Sequence, residues 1–68
     1  MKYVIVDLRN DEPVATGEAT FNPSMAHVEV WDHMKRLVDG DKIPSKNILT
    51  GYTEESEHYQ KYLTRFQG

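Results

Sequence analysis

The residues of this chain best suited to chemistry are its three histidines, two of which have a glutamate four positions earlier. Glu29 and His33, with Asp32 adjoining, and Glu54 and His58 would each share one face of a helix, a spacing at which a carboxylate and an imidazole can grip one metal ion. Structural zinc takes four ligands, usually thiolates or several histidines. The chain has no cysteine, and His27 points to the opposite side of the helix that carries His33. Both pairs therefore read as parts of solvated helix faces, and no metal and no cofactor is expected. Asp39-Gly40-Asp41 has the composition of a calcium loop but lacks the later ligands and the closing glutamate, so Gly40 reads as a helix stop. Ser24, Ser45 and Ser56 lie outside any nucleophile elbow, and the glycines form no phosphate-binding loop. No pair of carboxylates stands out, and a chain this short has little capacity for a closed pocket. No catalytic residue is assigned, and a non-enzymatic role is expected.

Charge offers one further constellation. Lys35, Arg36, Lys42 and Lys46 flank the end of a predicted helix, with Tyr52 close by in sequence, a combination that could contact a phosphate backbone and stack a base. Asp32, Asp39 and Asp41 are interspersed among them, and the net charge of −3 opposes a polyanion. A small nucleic-acid-binding regulator is the second reading.

The elements that must position these residues are legible in the hydropathy pattern. From Lys2 to Arg9, β-branched and aromatic residues alternate, with Val4, Val6 and Leu8 on one face and Tyr3, Ile5 and Asp7 on the other. Asn10-Asp11-Glu12-Pro13 supplies turn formers, and residues 14–21 read as the return strand. Placing Arg9 opposite Val14 sets Leu8 against Ala15, Val6 against Gly17 and Val4 against Ala19, so large residues face small ones on a single face. Asn22 is a suitable N-cap and Pro23 a suitable first residue for a helix over 23–39. Ala26, Val30, Trp31, Met34, Leu37 and Val38 form its apolar arc. Residues 46–50 fit a third short strand, or else Ser45 caps a single helical turn ended by Gly51. Thr53 then caps a last helix over 54–66, with Glu54, Glu55 and Glu57 in its first turn and Arg65 in its last. Tyr59, Tyr62, Leu63 and Phe66 form its stripe, and these aromatics, with Trp31, are expected in the core.

The expected fold is thus α+β: an N-terminal antiparallel β-hairpin packed against two amphipathic helices, in one small domain over 1–68. Its 68 residues, 38% hydrophobic and 28% charged, allow one thin core, worth about 3–5 kcal/mol without a disulfide, metal or partner subunit. Oligomerisation is one way to supply the support, and a homodimer is considered on that ground. Asp7 interrupts the first apolar run too early for a signal-peptide core, no span has membrane length, and the absence of cysteine suits a reducing compartment. A cytoplasmic location is expected. No motif identifies a family. The hairpin-helix-helix order is shared by many small regulatory and accessory proteins, phage-encoded ones among them, an analogy of architecture alone. The leading expectation is a module that binds another protein, as a modulator or inhibitor of a larger one. With a core beneath Val4 and Val6, Tyr3, Ile5, Val14 and Tyr52 would be its exposed anchors.

Overall fold

A computed structural model of the chain describes residues 1–20, 23–40, 43–44 and 46–67. Strands β1 (Lys2–Asp7) and β2 (Glu12–Glu18) lead into helix α1 (Pro23–Asp39), and a 3-10 turn at Lys46–Ile48 leads into β3 (Leu49–Thr53) and helix α2 (Glu57–Gln67). The fold is α+β. Its antiparallel sheet has the order β2-β1-β3, so α1 links two mutually parallel edge strands that flank the first strand, a split β-α-β arrangement. The proposed N-cap Asn22 lies outside the described residues, as do Phe21, Lys42 and Ser45. Both alternatives weighed for the segment before Tyr52 are present in succession: one helical turn, then a third strand.

The central strand is apolar on both faces because both are covered. Val4, Ile5 and Val6 are 0% exposed, the uninterrupted apolar run expected of a strand sandwiched between two layers. On one face, Tyr3 and Ile5 pack with Val30 and Met34 of α1, Leu49 of β3 and Ile43. On the other, Val4 and Val6 pack with Tyr59 and Tyr62 of α2, edged by Tyr52 and Leu63. The sheet thus separates two small cores.

The hairpin register differs from the sequence expectation, and that difference moves the proposed binding surface inside the protein. Tyr3 lies opposite Gly17 and Ile5 opposite Ala15, while beyond a bulge Val6 opposes Pro13 and Asp7 opposes Glu12. The turn occupies residues 8–11 rather than 10–13 because side chains brace it there. Arg9 N–H donates to the Asp7 carboxylate (2.9 Å) and Glu12 N–H to the Asn10 side-chain oxygen (3.2 Å), while Asp11 takes the left-handed conformation at φ 57° that aspartate tolerates comparatively well. A slip by an odd number of residues exchanges the two faces of a strand. The small residues Ala15 and Gly17 consequently oppose Ile5 and Tyr3 instead of Leu8 and Val6, and the Tyr3 ring lies across Gly17. Tyr3 (5% exposed) and Ile5 (0%) are core residues, so neither can serve as a surface anchor. The extra residue at the bulge is Val14, half-buried against the α1-side core.

The helices carry two further corrections. Trp31 is 50% exposed and Phe66 42%, although both follow the helix period, because each lies at the margin of its stripe where a three-stranded sheet is too narrow to cover it. Helix α2 begins at Glu57 rather than near Thr53. Ser56 Oγ accepts the His58 N–H (3.2 Å) as its cap, and the Thr53 carbonyl closes a turn by accepting the Ser56 N–H (2.9 Å).

Candidate functional site

The hydrogen-bonding parity of the sheet decides which backbone groups remain available. Leu8 N–H donates to the Ile48 carbonyl (2.7 Å) and Glu54 N–H to the Lys2 carbonyl (2.8 Å), so the even-numbered residues 48 to 54 face β1. Antiparallel pairing alternates along the strand. The N–H groups of Leu49, Gly51 and Thr53 and the carbonyls of Leu49 and Gly51 therefore point away from the sheet along the outer edge of β3.

A groove of about 380 Å³ runs beside that edge. Helix α1 contributes His27, Val30, Trp31 and Met34 to its wall, β3 contributes Gly51 and Thr53, and Met1 and Glu55 complete the lining. Gly51 lets the helix come this close. A Cβ there would lie 2.5 Å from Val30 Cγ1 and 3.2 Å from Met34 Cε, so any side chain would push α1 off the strand. The groove has an apolar floor, a half-exposed indole overhanging it, and a row of outward backbone donors and acceptors on one side.

No family model matches this chain, and no curated protein or solved structure does. The site must be judged on its own geometry.

The residues singled out for chemistry are occupied elsewhere. Glu29 accepts the Thr20 N–H (2.7 Å) and hydroxyl (2.8 Å), which hold its carboxyl below the usual carboxylate range. The Tyr3 hydroxyl and His33 Nδ1 share a hydrogen bond (2.6 Å). Burial, aided by the nearby Arg36 charge, pushes His33 below its ordinary value, and burial pushes Tyr3 up. Both shifts favour the neutral forms of the two groups. Glu54 accepts the Lys2 N–H (2.9 Å), and His58 leans on the Tyr52 ring with centroids 5.0 Å apart. Among the described residues, no three histidine or carboxylate side chains gather closely enough to hold a metal ion.

The remaining sequence candidates are scattered. Tyr52 is half-buried on the α2 face and stacks on Tyr62 at 5.5 Å with planes 4° apart, away from Tyr3 and Ile5. Tyr62 in turn donates to Asp11, a bond that raises its phenol above the ordinary value. Of the basic cluster, Lys35 is exposed and Arg36 pairs with Asp32 at 3.4 Å. Lys46 belongs to the 3-10 turn, and Lys42 lies outside the described residues. Sequence reasoning missed His27, Trp31 and Gly51 as a group. The available signals were a glycine within a short apolar-polar alternation, which marks close backbone approach, and the absence of any charge from Leu49 to Thr53.

Proposed function

We propose that this protein is a non-enzymatic, cytoplasmic binding module that captures an extended protein segment by strand addition along β3. The observation that carries this reading is the edge itself: among the described residues no strand pairs with the outward N–H and carbonyl groups at Leu49 and Gly51 or with the Thr53 N–H, and an apolar groove lies beside them. Main-chain hydrogen bonds to such an edge supply affinity, and alternate side chains of the incoming strand read the adjoining pocket. Here those side chains would enter between Trp31 and the strand, where an aromatic anchor in a desolvated site contributes disproportionately. The Glu55 carboxylate in the lining favours a basic residue beside it. A modulator or inhibitor role follows if the captured segment belongs to a larger protein.

Random-peptide display against dilute immobilised protein tests this reading. Enriched peptides are expected to alternate apolar and polar residues and to lose binding to a Thr53→Pro variant, which deletes one outward N–H without touching the bonds to β1. Failure to enrich any peptide, or binding indifferent to Thr53→Pro, would overturn it.

A further inference from the structure

The β3 edge is complementary to itself. We propose that its occupant is the β3 of a second copy of this chain, paired antiparallel about a twofold axis at Gly51. This rests on strand addition at β3 and names the strand that is added. With the axis at Gly51, that residue meets its own counterpart, and Leu49 meets Thr53 of the other copy. All three residues with outward backbone groups then occupy hydrogen-bonded pairs, and the two three-stranded sheets become one continuous sheet.

Charge selects the antiparallel sense. Lys46 precedes β3, and Glu54, Glu55 and Glu57 follow it, while Leu49–Thr53 is itself uncharged. Antiparallel pairing brings the basic end of one strand against the acidic end of the other, so that Lys46, which precedes one β3, comes near Glu55, which follows the other. Parallel pairing would place like charges together. The layer above agrees with the same arrangement. Helix α1 lies over β1 and β3, and Val30 and Met34 sit directly above Gly51. With strands ~4.8 Å apart, the two α1 axes would stand about 10 Å apart across the axis, a normal helix-packing distance. Trp31 and His27, on the groove side of α1, face that space. The dimer would cover the indole that the narrow sheet leaves half exposed, and would add the subunit contact that a core this small gains most from.

Sedimentation velocity from micromolar to near-millimolar concentration tests the proposal, supported by amide exchange. The expected result is a reversible dimer of the 7.9 kDa chain, with protection of the Gly51 and Thr53 amides rising with concentration while Thr50 and Tyr52, bonded to β1, stay protected throughout. Thr53→Pro should abolish association with unchanged circular dichroism. Lys46→Glu and Glu55→Lys should each weaken it about fivefold, two ion pairs being altered per dimer, and the double exchange should restore it. A chain that stays monomeric throughout, a dimer indifferent to Thr53→Pro, or a double exchange no tighter than the single ones would overturn the proposal. Should Thr53→Pro fail to fold, concentration-independent exchange at Gly51 and Thr53 in the unsubstituted chain would overturn it instead. A monomer that still selects extended peptides loses only the second copy, whereas a monomer that selects none loses strand addition as well.

Discussion

The two edges of the sheet flank the same central strand with the same antiparallel sense, yet they meet solvent differently. β2 carries Pro13, which has no N–H to offer, a bulge at Val14, and charges at Glu12 and Glu18. Arg65 of α2 reaches across to Glu12 at 2.7 Å. These are the devices by which edge strands avoid pairing with other chains. β3 reads Leu-Thr-Gly-Tyr-Thr, with no proline and no charge, and its register against β1 runs without a shift. A chain able to blunt one edge so thoroughly has left the other open beside an exposed tryptophan. The contrast supports a dedicated use for β3 better than the openness of β3 alone would.

The comparison holds only if both edges belong to one sealed sheet, and Ile5 is the residue that tests this. It lies between Ala15 of β2 and Gly51 of β3 and is wholly buried under α1. Ile5→Glu would place an unpaired carboxylate in that core, a cost of several kcal/mol that exceeds the roughly 3–5 kcal/mol a domain of this size holds. Far-ultraviolet circular dichroism should show an unfolded chain at neutral pH. A folded Ile5→Glu protein would mean that the α1 face is open, and the two edges would then no longer bound a common core.

A smaller effect separates the edges from each other. Gly51→Val drives a side chain into Val30 and Met34, and overpacking of this kind costs about 1–3 kcal/mol. Thr16→Val, at an exposed site on β2, should stay within about 0.5 kcal/mol of the parent. Urea melts of the two variants measure the difference directly. Equal losses would show that α1 does not bear on β3 as closely as the Gly51 geometry requires.

Much of this architecture is written locally. The alternation in β1 declares a strand, and the stripe of Val30 and Met34 and the pair Tyr59 and Tyr62 each declare a helix and its buried side. The hairpin register is not declared so plainly, because Asn10 and Asp11 suit a turn at 8–11 as well as one at 10–13. The choice falls to individual bonds made by Asp7 and Asn10, and nothing local says that helices cover both faces of β1, which is why Tyr3 and Ile5 looked like surface anchors. Trp31 misled for a related reason. Its helical spacing says that it lies beside the stripe, but the width of the sheet beneath α1 decides whether anything covers it, and that is a tertiary fact. The groove depends on both features, so it becomes visible only after α1 has been assigned to the Tyr3 face.

The subtlest expected effect concerns how α1 is fastened over the two halves of the sheet. Over β3 it rests on apolar contact with Gly51. On its other side it is tied through β1 by a polar clasp, because the Tyr3 ring, which lies across Gly17 of β2, carries the hydroxyl that bonds to His33. Burial holds the His33 pKa below the ordinary 6.5, so the unfolded chain takes up the proton at higher pH than the folded one does. The stability this group contributes is therefore complete above about pH 6.5 and is lost as pH falls through the lowered folded value. Asp7 and Glu29 are also held below their ordinary values of 3.8 and 4.5, so their losses begin only at more acid pH and leave the first part of the decline to His33. Melting temperatures measured between pH 7 and pH 5 should fall for the parent and stay nearly level for His33→Gln. Tyr3→Phe, which removes the hydroxyl but leaves the imidazole buried, should lower stability by about 1 kcal/mol at pH 7 and keep the acid slope, since burial rather than the hydrogen bond is the main cause of the shift. A Tyr3→Phe protein without that slope would reverse this order of causes, and would make the clasp itself the pH-sensitive part of the β2 side.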